Sequence, residues 1–217
     1  PIAHAAARLL SMGVGYRVDG DIYFDSRAAA AASQWHLGQV SGYSRETMIE
    51  LFAQRGGDPE REGKRDPLDP LLWRARRDDE PWWATVVGEG RPGWHIECSV
   101  IASEYLDLPI TVNGGGIDLV FPHHEFTAGH TAALTGMAHA RLWSHASLVS
   151  YRGEKMSKSL GNLVFVSSLL AAGHDPRAIR LAILAHHYRV DWEWTASSVV
   201  DAQRRLDEWQ AWARDVD

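Results

Sequence analysis

At 217 residues the chain has room for one sizeable core, or for one core with an appendage. Its apolar share, 45%, is ordinary for a soluble globular protein, and no apolar run approaches the length of a bilayer span. The N-terminus, Pro1-Ile2-Ala3-His4, carries no signal-peptide pattern, and a net charge of −6 disfavours nucleic acid as a partner of the surface as a whole.

The segment 5–12 reads as the end of a helix stopped by Gly13 and Gly15, and 21–24 as a short strand. The small-residue run 28–32 fits a loose helix or a loop. Residues 44–55 form a helix that Ser44 caps and Gly56-Gly57 ends. A charged, proline-punctuated loop follows at 58–69, then a strand at 70–74 and another loop to Gly93, in which the pair Trp82-Trp83 reads as packing. From there a βα rhythm is expected. It comprises a helix over 96–106, a buried strand at 109–113, and a glycine run before a helix opening near Pro122, a residue suited to a first turn. A strand at 142–149 comes next. An extended piece at 163–166 precedes a helix to 172 capped by Ser167, and Asp175 caps a helix reaching 188. The tail, 197–213, reads as one amphipathic helix with Val200, Leu206, Trp209 and Trp212 near one face. Alternating strands and helices imply an α/β fold with an open parallel sheet that binds ligands at the carboxyl ends of its strands.

The chemistry concentrates in three strings. The first is Tyr151-Arg152-Gly153-Glu154-Lys155-Met156-Ser157-Lys158-Ser159-Leu160-Gly161-Asn162. A glycine-flanked loop of this kind can fold over a polyphosphate. The lysines supply point charges as pyrophosphate leaves, and the amides and hydroxyls supply donors. The second, Gly90-Arg91-Pro92-Gly93-Trp94-His95-Ile96-Glu97-Cys98, holds the only cysteine, so no intrachain disulfide forms and a reducing cytoplasm is the expected setting. The third is Gly114-Gly115-Gly116-Ile117-Asp118-Leu119-Val120-Phe121-Pro122-His123-His124-Glu125. Its glycines let a nucleotide approach the backbone. It lacks the His-Glu-x-x-His spacing of a metalloprotease.

The string 155–159 is similar to the KMSKS signature of class I aminoacyl-tRNA synthetases, which activate a carboxylate with ATP. With the other two strings it resembles the cysteine-activating branch, shared by the cysteinyl-tRNA synthetase and mycothiol ligase families. The latter joins cysteine to the amine of glucosaminyl-inositol. The resemblance implies that Cys98 and His123 bind zinc, with a further cysteine from outside this chain and one position left for substrate cysteine. It implies that Trp94 walls the cysteine pocket and that His95 contacts substrate or adenylate. Asp118 would hydrogen-bond the ribose beside Gly114, Gly115 and Gly116. Lys155, Met156, Ser157, Lys158 and Ser159 would hold the phosphates of Mg-ATP, with Lys155 and Lys158 catalytic. Thr127 stands where cysteinyl-tRNA synthetases place a zinc-binding glutamate. It is a poor zinc ligand, and the run 123–128 looks like mycothiol ligase instead, as does 163–167.

The resemblance also sets expectations for organisation. Residues 1–89 correspond to a connective insertion, 90–190 to the second half of a Rossmann-like nucleotide-binding catalytic domain, and 191–217 to the start of a helical domain. No HIGH-type string precedes Asp19, so the chain reads as a fragment whose partner is an N-terminal half of the same protein. Small-molecule substrates (L-cysteine, ATP, glucosaminyl-inositol) are the expected ligands, with no membrane. Transfer of cysteine to tRNA is one alternative, and a non-catalytic paralogue that only binds is another.

Overall fold

A computed structural model describes residues 1–215. The chain divides into two compact units, 1–144 and 145–217.

The first unit is built around a five-stranded sheet. Helix α1 (Ile2–Ser11) buries Ala6 and Leu9 and ends before Gly13, whose φ of +73° suits glycine. Strands β1 (Gly15–Val18) and β2 (Asp21–Phe24) form a hairpin over Asp19-Gly20, both at positive φ. Helix α2 (Ser26–Ala32) is capped by Asp25, which accepts from the Ala28 amide at 2.8 Å. Helix α3 (Arg45–Gln54) is capped by Ser44, which accepts from the Thr47 amide at 3.2 Å. Strand β3 (Leu71–Ala75) pairs with β2, and a hairpin of β4 (Trp83–Thr85) and β5 (Gly88–Pro92) completes the sheet in the order β1-β2-β3-β5-β4, antiparallel throughout. The loop expected to run from 75 to Gly93 is therefore largely this hairpin. Trp82 and Trp83 are 38% and 57% exposed rather than packed, with the Arg76 guanidinium 4.0 Å above the Trp82 ring.

Helix α4 (Trp94–Tyr105) begins two residues before the expected start. The cause is Gly93, whose amide donates to Leu72 O at 2.9 Å. Any Cβ at Gly93 would overlap the Leu71 carbonyl, so only glycine lets the helix start against β3. Strand β6 (Ile110–Gly116) takes the three glycines into the strand itself, and its side chains are exposed or half-buried, not buried as the sequence suggested. It pairs with β7 (Ala140–Ala146). Between them, turns at Ile117–Leu119 and Val120–His124 lead into α5 (Glu125–Thr135). Pro122 lies in the irregular turn, where Phe121 is non-helical, and not in the first turn of α5. All but Thr135 of α5 is buried, and Phe24, Trp35, Phe52, Phe121 and Phe126 share the core around it.

In the second unit, β8 (Val149–Tyr151) lies between β9 (Glu154–Lys155) and β10 (Trp192–Trp194), and β8 and β10 are parallel. Three helices follow the hairpin: α6 (Val166–Ala171), α7 (Pro176–Leu184) and α8 (Ser197–Asp215). Asp175 caps α7, as expected, by accepting from Arg177 N at 2.8 Å, but the helix stops at Leu184 rather than 188. Phe165, not Ser167, occupies the cap position of α6. The buried face of α8 is Val199, Ala202 and Leu206, packed with Ala178, Ile179, Ala182 and Trp194. Val200, Trp209 and Trp212, placed on the apolar face by the sequence, are 62%, 49% and 64% exposed. No helix among the described residues is long and apolar enough to cross a membrane.

Candidate active site

The cysteine-bearing string and the double-histidine string meet where α4 packs on α5. Ser99 ties the helices together: its hydroxyl donates to His95 O at 3.0 Å and to Thr127 O at 3.1 Å. The result is a cavity of about 430 Å³ lined by Cys98, His123, His124, Thr127, Asn113 and His139 together with apolar side chains of α4. No carboxylate is among its lining residues. Cys98, His123 and Thr127, 29 positions apart at most, are thus brought to one surface.

Trp94 and His95 take different places. Trp94 is 56% exposed, and its indole stacks on the His123 imidazole with centroids 4.5 Å apart. His95 is buried, and its Nδ1 shares a hydrogen bond with His123 Nδ1 at 3.1 Å. Both residues line a second, more polar cavity of about 230 Å³ with Arg55, Asp58, Arg74 and Arg91. Thr127 is 3% exposed, and its hydroxyl donates to His95 O at 3.5 Å, a long bond that contributes little.

Burial sets the protonation of this region. It holds His95 well below the ordinary histidine range, with His130 and His123 adding like charge, and it lowers His123 as well. His139 falls to about 4 and His130 to about 3, both mainly by burial. The imidazoles are therefore neutral at pH 7, the form that ligates metal. Burial, with Glu97 beside it, pushes the Cys98 thiol up, so the thiolate that a metal requires is not preformed. Among the described residues no group of three His, Cys, Asp or Glu side chains could hold a metal ion. Cys98 and His123 are chemically suited as two of the donors zinc needs.

The glycine run has a local role as well. A Cβ on Gly115 would sit 2.7 Å from His124 Cε1, so the ring of His124 occupies the space a side chain would take. Gly114 meets nothing closer than 3.8 Å. Asp118 lies in the turn after β6, and Arg55 fixes that turn by donating to Asp118 O at 2.7 Å and to Phe121 O. Sequence reasoning passed over Arg55, since a basic residue at a helix end is ordinarily solvated. It also passed over Glu125, which is fully buried on α5. The Glu125 carboxylate accepts from Trp35 Nε1 at 3.2 Å, Val40 N at 3.1 Å, and Ser41 N and Oγ at 2.9 Å each.

In the second unit, the lysine string begins in a hairpin. The turn at Arg152-Gly153 has positive φ at both residues, Lys155 ends β9, and Met156 N donates to Val149 O at 3.2 Å. Lys155, Lys158 and Ser159 are exposed, Met156 and Ser157 half-buried. Ser157 and Ser159 hydroxyls lie 3.1 Å apart. Met156 lines an apolar cavity of about 340 Å³ with Val164, Leu169, Ile179 and Trp192.

The family described as "tRNA synthetases class I (C) catalytic domain" matches residues 1–204. A protein of Clavibacter michiganensis subsp. michiganensis is 60% identical over 99% of this chain and 53% of its own length, and one of Arthrobacter sp. (strain FB24) is 58% identical over 96% and 52%. Each is named L-cysteine:1D-myo-inositol 2-amino-2-deoxy-alpha-D-glucopyranoside ligase. Among solved structures, the LeuRS of Agrobacterium radiobacter K84 aligns with 58% of this chain and 20% of its own, at 18% identity and a TM-score of 0.45. The chain spans about half the length of the curated relatives it matches. On the strength of a match over nearly its whole length, the chain belongs to the class I (C) tRNA synthetase catalytic-domain family.

Proposed function

We propose that this chain supplies part of an ATP-dependent ligase that activates L-cysteine as cysteinyl-adenylate and transfers it to the amine of glucosaminyl-inositol. The observation that carries this reading is the cavity shared by Cys98, His123 and Thr127, in which no carboxylate takes part. In this reading the pocket recognises the substrate thiol, and the buried Thr127 stands where the resemblance puts the zinc-binding glutamate of the tRNA-charging branch. The names of the relatives agree with it.

In the first step a carboxylate oxygen of cysteine attacks the α-phosphorus of Mg-ATP. The bond to the bridging oxygen breaks and pyrophosphate leaves. Lys155 and Lys158 stabilise the charge that develops on the leaving group, and Ser157 and Ser159 offer donors to its oxygens. In the second step the acceptor amine attacks the acyl carbon, AMP leaves, the nitrogen loses a proton, and an amide remains. In this reading Asp118 holds the ribose, and Gly114, where an added Cβ would meet nothing closer than 3.8 Å, lets the nucleotide approach the backbone. Zinc, when bound, would supply a thiolate-selective contact to the substrate sulfur that serine cannot match. Cys98 and His123 would be its ligands from this chain. Donation from His123 Nδ1 to His95 would leave the His123 Nε2 lone pair for that purpose. Trp94 covers the His123 ring and limits water there. Residues 1–89 act as the connective insertion, 90–190 as the second half of the catalytic domain and 191–217 as the start of the helical domain.

Acceptor choice tests the proposal. The complete protein is given labelled cysteine, ATP and either glucosaminyl-inositol or bulk tRNA. The expected product is a labelled amide that survives mild base. A labelled tRNA ester with no amide would replace the ligase reading with tRNA charging.

A further inference from the structure

Asn162 closes the lysine string into a loop. Its side-chain amide donates to Lys155 O at 3.1 Å, and its Oδ1 accepts from Ser157 N at 2.8 Å. One side chain therefore clamps both flanks of Met156, across seven positions of sequence. Two further bonds tighten the same turn: Leu160 N donates to Ser157 Oγ at 3.3 Å, and Gly161 N donates to Lys158 O at 3.2 Å with Gly161 at φ +63°. Asn162 is half-buried, and its bond to Lys155 O reaches back to the end of β9 while its bond from Ser157 N holds the residue after Met156.

We infer that Asn162 is a positioning residue for Lys155. By fixing the backbone on either side of Met156 it sets where the Lys155 ammonium stands when pyrophosphate departs. This role rests on the adenylate-forming reaction proposed above. Lysine is a flexible point charge with four rotatable carbons, so its placement depends on the backbone that carries it. Transition-state stabilisation is steep in distance, and a loop loosened by about an ångström weakens it without removing the charge. Asparagine suits the task because it offers a donor and an acceptor from one planar group, which neither serine nor aspartate does.

The test is a double-mutant cycle in the complete protein, read by cysteine-dependent exchange of pyrophosphate into ATP. Asn162→Ala is expected to lower kcat by ~10–100-fold, with the KM for cysteine changed by less than about twofold. In a Lys155→Ala background the same substitution should cost little more, because the group it positions is gone. Thermal melting of each variant is recorded, and Asn162→Ser replaces the alanine variant if that melts below the assay temperature. An unchanged kcat for either Asn162 variant, or a full additional loss in the Lys155→Ala background, overturns the positioning role. If the unaltered complete protein shows no exchange with cysteine, the ligase reading itself falls, and this role falls with it. The two failures are distinct because the second is seen before any residue is changed.

Discussion

The buried histidines of the first unit owe their electrostatic state mainly to burial. His130 is fully buried, and its ring packs edge-on against Phe24 at 4.5 Å. His139 is nearly as buried but gains a 2.8 Å hydrogen bond between its Nδ1 and Thr131 Oγ1. Their folded-state pKa values, about 3 and about 4, lie below the ordinary 6.5. The unfolded chain therefore binds protons that the folded chain refuses between pH 6.5 and 4. The stability these residues permit is fully present above pH 6.5 and is lost as pH falls toward 4 and then 3. The limiting slope is about 1.4 kcal/mol per pH unit for each histidine. Urea denaturation at pH 7 and pH 5 should show the loss, and His130→Leu should reduce its slope by about one proton's worth. A slope unaffected by that substitution would mean that His130 titrates normally in the fold.

At the scale of elements, Glu125 links α5 to the loop before α3. Four donors converge on its carboxylate, from Trp35, Val40 and Ser41. Glu125→Ala leaves two amides and an indole N–H without an acceptor in a buried place, at about 1–3 kcal/mol for each group left unsatisfied. Loss of at least about 3 kcal/mol is expected by chemical denaturation, with faster amide exchange at Val40 and Ser41. A variant as stable as the parent would show that the loop finds other acceptors. Elements signalled by local chemistry were legible in the sequence: the Ser44 and Asp175 caps, the Gly13 stop and the strand Asp21–Phe24 stand where they were read. The β4–β5 hairpin and β10 were not, because glycine, charge and tryptophan hide the period-two pattern of short strands. On α8 Leu206 is buried as read, but Val199 and Ala202 share its face in place of Val200, and Val200, Trp209 and Trp212 are exposed.

At the scale of the whole molecule, the proposed reaction uses a metal that the described residues alone do not enclose. In that proposal Cys98 and His123 are two of the donors, and among the described residues no group of three His, Cys, Asp or Glu side chains could hold the ion. Chelation of the complete protein is expected to abolish cysteine-dependent pyrophosphate exchange, and added zinc to restore it. Metal-free protein that exchanges at the parental rate would remove the zinc role of both residues. The sequence by itself determined the family, because the lysine loop, the cysteine string and the paired histidines are local patterns that can be read without knowing how the chain packs. It could not say that Trp94 and His95 diverge, one exposed over His123 and the other buried against it. Nor could it find the roles of Arg55 and Glu125, whose partners lie up to 90 positions away. Those assignments depend on which backbone groups folding strands without a partner, and that is known only once the chain is packed.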